Sequence, residues 1–176
     1  MKVINLFGGP SSGKSTISAG LFYLMKLQQL EVVLIQEIAT KMIEQKRIHK
    51  LQDQLGILAD QHEPYFELND NVDFLITDSP LILSALYQPK NYIKHFKKMT
   101  VSTFNQYDNI NFWINRPKEG FSEKRRAHSL EESIKKDKEL KKMLKQYNIA
   151  IEKAFNAEAN THLEIFYYMK HVLQLF

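Results

Sequence analysis

Nine residues, Gly8-Gly9-Pro10-Ser11-Ser12-Gly13-Lys14-Ser15-Thr16, restrict the folds open to this chain more than any other stretch. They match G-x-x-x-x-G-K-[S/T], with Gly8, Gly13, Lys14 and Ser15 in register. Each fixed position has a chemical reason. Gly8 and Gly13 allow backbone angles and close approaches that a Cβ would obstruct. The loop N–H groups then converge on phosphate oxygens, and the positive end of the following helix adds to them. Lys14 is expected to reach the β- and γ-phosphates of ATP, and the Ser15 hydroxyl to ligate Mg²⁺. The flanks agree. Lys2 to Phe7 is a mostly apolar run suited to a buried parallel strand, and Ile17, Leu21 and Leu24 follow at helical spacing.

Composition narrows the setting. A chain of 176 residues suits one domain, here residues 1–176, with a full core. The absence of cysteine removes disulfides, thiol catalysis and thiolate metal sites. The first residues read directly as a strand rather than a targeting signal, and no apolar run approaches a membrane span. A cytoplasmic protein is the expectation. The net charge of +4 is concentrated: residues 116–145 hold 11 Lys or Arg against 6 Asp or Glu. That excess and the pI of about 9.1 keep nucleic acid open as a partner, although a solvated lysine-rich helix would give the same count.

Further along, Glu31 to Gln36 reads as a second strand with Glu37 just beyond its carboxyl end, where ligands of open α/β sheets collect. From Ile38 to about Asn69 two helices are expected with a break near Lys50. Leu51, Leu55, Leu58, His62, Tyr65 and Phe66 form the inward side of the second, and Pro64 kinks it. Asp60 and Gln61 are pocket-lining candidates there. Val72 to Asp78 is a third strand ending in a carboxylate, the Walker B arrangement. Asp78 can hold the Mg²⁺ shell or take the proton from an attacking hydroxyl. Ser79-Pro80 then looks like a helix cap.

Helical segments over 81–86 and 92–104 lead to a fourth strand, Asn109 to Asn115, with Trp113 in the core. A basic lid is expected at about 116–128. It carries Arg116, Arg125 and Arg126, three of the chain's four arginines, whose guanidinium groups suit transferred phosphate. Ser129 to Glu132 is a capping box for a helix over 130–146. Asn148 to Ile151 reads as a fifth strand. A last helix, 157–173, is expected to turn Leu163, Phe166, Tyr167 and Met169 to the sheet, and the turn at Asn156 to Asn160 to approach the adenine.

Taken in order, the phosphate loop, Glu37-Ile38-Ala39-Thr40-Lys41, Asp60-Gln61-His62, Thr77-Asp78-Ser79-Pro80-Leu81 and Asn115-Arg116 leading to Arg125 resemble the small P-loop kinases of the ribosylnicotinamide-kinase-like group. These are classed with AAA-type ATPases, and the likeness is strongest to phage-encoded nucleotide kinase relatives. The resemblance implies a three-layer α/β P-loop fold, a five-stranded parallel sheet in order 2-3-1-4-5 with helices on both faces. It also implies transfer of the γ-phosphoryl of MgATP to a hydroxyl. The family's Gly-Arg pair in the lid is replaced here by Glu123-Lys124-Arg125-Arg126.

The expected activity is a kinase acting on a hydroxyl or phosphate of a nucleoside- or nucleotide-type acceptor near Glu37 and Gln61. A kinase acting on nucleic acid, at a hydroxymethylated base or a strand end, is one alternative. An NTPase switch or binding protein is another. Oligomeric state is not legible in the residues.

Overall fold

The computed structural model describes residues 1–68, 72–117 and 129–176. Five strands, β1 (Lys2–Phe7), β2 (Val32–Ile35), β3 (Phe74–Thr77), β4 (Asp108–Asn115) and β5 (Lys153–Asn156), form one parallel sheet in order β2-β3-β1-β4-β5. That is the expected order. β1 is central because both of its faces are apolar. Val3 and Phe7 join Leu75, Trp113, Leu140 and Ile82 in one core, while Ile4 and Leu6 join Leu21, Met25, Ile165 and Met169 in another. The second core lies beneath α1 (Lys14–Leu27) and α7 (Thr161–His171). The first lies beneath α3 (Gln54–Glu67), α4 (Leu83–Tyr87), α5 (Phe96–Phe104) and α6 (Leu130–Gln146). Each fully buried aliphatic side chain contributes roughly 1.5–3 kcal/mol, so the two clusters hold the three layers together.

Helices α2 (Ile38–Glu44) and α3 are separated by a 3-10 turn, Ile48–Gln52, at the expected break. The inward face of α3 differs from expectation. Gln54, Ile57, Leu58, Gln61 and Tyr65 are buried, whereas Leu55 and Phe66 face outward. Two buried amides displaced two apolar residues because each has carbonyl or N–H partners to satisfy. Gln54 Nε2 donates to Leu51 O at 2.8 Å, and Gln61 bonds the β2–α2 turn. Pro64 does not end α3, which runs on to Glu67.

Three other boundaries move. The segment after β3 turns before it coils: Thr77 Oγ1 accepts the Ser79 N–H at 3.0 Å, and α4 begins only at Leu83, without a Ser79 cap. α5 starts at Phe96, after His95 at φ 67. β5 starts at Lys153, not Asn148, because Asn111 Nδ2 takes the Ala150 carbonyl at 3.0 Å and the ladder opens beyond it. Ile149 and Ile151 instead pack against the helical core. In α7, Ile165, Phe166 and Met169 are buried as the spacing requires, but Tyr167 is exposed. The capping box at Ser129 and Glu132 is present, and α6 spans its expected residues.

Candidate active site

β1 delivers the chain to Gly8 at the carboxyl edge of the sheet, and α1 begins at Lys14. Gly8 adopts φ +148, and a Cβ there would stand 2.6 Å from Ser12 Oγ and 2.7 Å from Ile114 O. The hydroxyl could swing away, but the β4 carbonyl cannot. Gly8→Ala is therefore expected to lower unfolding stability by about 1–3 kcal/mol, read as a fall in the denaturant midpoint. Gly13 caps α1 at φ +87, with Ala157 of the 156–160 turn packed 3.3 Å from where its Cβ would lie. Lys14 Nζ donates to Gly9 O at 3.0 Å, so its cation lies over the loop.

Beside the loop, β2 and β3 end in two carboxylates joined through the backbone. Asp78 Oδ1 accepts the Glu37 N–H at 3.1 Å, and Glu37 Oε2 accepts the Thr40 hydroxyl at 2.7 Å. Gln61 locks the same turn: its Oε1 accepts the Ile38 N–H at 3.3 Å and its Nε2 donates to Gln36 O at 3.4 Å. Asp78 and Gln61 are buried at 4 % and 3 % exposure. A cavity of about 260 Å³ runs from Gly8, Pro10–Thr16 of the loop to Glu37, Gln61 and Asp78. Its far wall is mainly apolar, with Ile43, Leu51, Ile57, Leu83 and Tyr87. Burial pushes the Tyr87 phenol well above its usual pKa, and the charges of Glu37, Asp137 and Glu139 push it further the same way. The hydroxyl therefore stays protonated at neutral pH.

The remaining expected residues divide. Asp60 is exposed on α3 and outside this cavity, because the turn of helix that buries Gln61 carries its neighbour outward. Gly9 and Arg116 also lie outside its lining. Arg116 instead donates from Nη1 to Pro10 O at 2.6 Å and from Nη2 to Asp137 Oδ2 at 3.1 Å. Arg125 and Arg126, with the lid from residue 118 to 128, lie outside the described residues. Ser133 and Asp137 on α6 were not singled out by the sequence. Their only signal there is an i, i+4 polar pair on a helix whose other polar residues are mostly lysine.

The donor set fits a magnesium-bound triphosphate. Mg²⁺ commonly takes one or two protein oxygens, with phosphates and water completing its shell. Ser15 and Asp78, both in the cavity lining, supply such a pair. No cluster of three or more carboxylates, histidines or cysteines among the described residues would favour an all-protein metal cage.

A model of the AAA domain matches residues 3–156, from β1 to the end of β5. The chain belongs to the AAA domain family. The family match thus contains both the phosphate loop and the Asp78 carboxylate. Among solved structures, the chain is similar to a shikimate kinase from Acinetobacter baumannii in complex with shikimate. There, 16% of residues are identical, the TM-score is 0.56, and 98% of this chain and 92% of that one are covered. The crystal structure of APE1195 matches at 18% identity and a TM-score of 0.47, over 98% and 94% of the two chains. No curated protein matches it in sequence. The AAA domain here therefore has a P-loop kinase-like fold, and no helix among its described residues is long and apolar enough to cross a membrane.

Proposed function

We propose that this protein is a kinase that moves the γ-phosphoryl of MgATP onto a hydroxyl of a small nucleoside-type acceptor. The observation that carries this reading is the single cavity shared by the phosphate loop with Glu37 and Asp78. In this reading the loop N–H groups and Lys14 hold the phosphates and offset the charge that builds on transfer. Asp78 takes the proton of the attacking hydroxyl or holds the metal shell with Ser15. Magnesium, when bound, would bridge and neutralise phosphate oxygens. Glu37 orients the acceptor, and Gln61 keeps Glu37 in place by bonding the turn on both sides of it. Arg125 and Arg126 are the lid candidates for the transferred phosphoryl.

The wall chemistry favours an acceptor without its own phosphate. Among the described lining residues Lys14 is the only cation, against the carboxylates Glu37 and Asp78. A second phosphate held there would meet like charge at low dielectric. An apolar wall with the Gln52, Gln54 and Ser84 side chains suits a flat ring with hydroxyls. Part of the basic stretch on α6 is already engaged within the chain. Lys136 is bonded to Glu139 at 2.7 Å, and Lys141 lies 4.5 Å over the Trp113 ring.

The test offers γ-labelled ATP with nucleosides, mononucleotides or duplex DNA. Label is expected on a nucleoside. Label on a mononucleotide or on DNA would overturn the choice of acceptor and leave the kinase. Label released only as free phosphate would overturn the kinase and support the switch alternative.

A further inference from the structure

The phosphate loop is gripped from outside by the helix that follows the lid region. Gly9 N–H donates to Asp137 Oδ1 at 2.5 Å, and Gly9 O accepts Lys14 Nζ at 3.0 Å. Pro10 has no N–H. Its carbonyl accepts from both Arg116 Nη1 and Ser133 Oγ at 2.6 Å. Arg116 Nη2 closes the ring by donating to Ser133 Oγ at 2.5 Å and Asp137 Oδ2 at 3.1 Å. All three backbone polar groups of Gly9-Pro10 are thus engaged, two of them with α6 or Arg116.

The fit is tight. Ser133 is fully buried at 0 % exposure, and a Cβ on Gly9 would stand 2.5 Å from Asp137 Oδ1 and 2.9 Å from Ser133 O. The helix itself therefore demands glycine at position 9, a position that the phosphate motif leaves open.

We infer that Ser133 and Asp137 are positioning residues of the nucleotide site, and that Arg116 acts with them on the loop rather than on the transferred phosphoryl. The inference rests on the loop binding a nucleoside triphosphate. Fixing Gly9-Pro10 before the ligand arrives keeps the loop donors convergent, so binding costs no reorganisation there. Charge sets the partners. A carboxylate against the loop would repel phosphate, and Arg116 beside Asp137 cancels it. Asp137 fixes Gly9 only because its charge is offset.

That arrangement has a distinctive signature. Arg116→Ala leaves Asp137 as an uncompensated anion beside the phosphates. Adding Asp137→Asn should remove that anion while keeping an oxygen acceptor for Gly9 N–H. The test measures MgADP affinity by calorimetry, since ADP lacks the phosphoryl group that is transferred. Arg116→Ala is expected to weaken MgADP about tenfold. The Arg116→Ala/Asp137→Asn double variant should bind severalfold tighter than Arg116→Ala alone. A purely structural loss would not be repaired by a second removal. Ser133→Ala should weaken MgADP in the same direction and, with one hydroxyl removed, provides the test if Arg116→Ala fails to fold.

Wild-type affinity for MgADP in Arg116→Ala, with turnover lost, would overturn the inference and return Arg116 to the phosphoryl group. A double variant no better than Arg116→Ala would also overturn it, as would Ser133→Ala binding like wild type. A wild-type protein that binds no nucleotide would overturn the nucleotide reading itself, and this inference with it.

Discussion

Lys14→Ala is expected to lower kcat by about 10²- to 10³-fold, the usual effect of removing one preorganised charge donor from a transfer site. The effect should be large because of what surrounds the lysine. Its cation is the only one among the described lining residues of a 260 Å³ cavity that also holds Glu37 and Asp78. Without it, phosphate oxygens would face two carboxylates in a site where water screens poorly. Fold should survive. Lys14 sits in the first turn of α1, is only partly buried, and donates to Gly9 O from a flexible stem, so alanine leaves no large cavity. The measurement is initial ADP formation with the best acceptor, alongside thermal unfolding of both proteins. A variant that keeps more than a tenth of the wild-type rate would remove Lys14 from the transfer machinery. Lost turnover with an unchanged unfolding midpoint would assign the defect to chemistry or binding rather than to folding.

Much of this site is legible in the sequence because the chemistry is local there. A phosphate loop needs its glycines, lysine and hydroxyl within nine residues, and a strand-end carboxylate follows an apolar run by one position. Gly8 to Thr16, Glu37 and Asp78 could therefore be found by spacing alone. The capping box at Ser129 is equally local, and α6 begins where it predicts. What escaped depends on partners far apart in the chain. Arginine after a strand suits a phosphate ligand, but that local pattern does not reveal the bonds Arg116 makes across the fold. The groups it bonds include Pro10, Ser133 and Asp137, 106, 17 and 21 residues away. Gln54 is buried against the rule that amides face water, since the Leu51 carbonyl it bonds cannot be seen in periodicity, whereas Gln61 lines the cavity as expected. β5 starts later than the residue pattern predicts for a similar reason. Two isoleucines at alternate positions read as a strand, but Asn111 captures Ala150 O and shifts the pairing to Lys153.

Asp78 offers a sharper test than any residue of the loop, because two substitutions separate its proposed chemistry from its bond to the β2–α2 turn. Asp78→Asn keeps an oxygen at the Oδ1 position to accept the Glu37 N–H, bonded at 3.1 Å in the native protein. The β2–α2 turn should then hold, and the unfolding midpoint should stay close to wild type. The carboxylate is gone, however, and with it the proposed proton acceptor or metal ligand. The expected fall in kcat is about 10²- to 10⁴-fold. Asp78→Ala loses the same chemistry and also leaves the Glu37 N–H without its acceptor, which adds about 1–3 kcal/mol of destabilisation. The two variants should therefore match in rate and differ in stability. Magnesium separates the remaining alternatives for the carboxylate. If Asp78 mainly holds the cation, raising Mg²⁺ should restore part of the Asp78→Asn rate by filling a weakened site. If it mainly accepts the proton, the rate should stay low at saturating Mg²⁺. An Asp78→Asn protein with near wild-type kcat would leave the cavity without its base and sink the transfer reading at its centre.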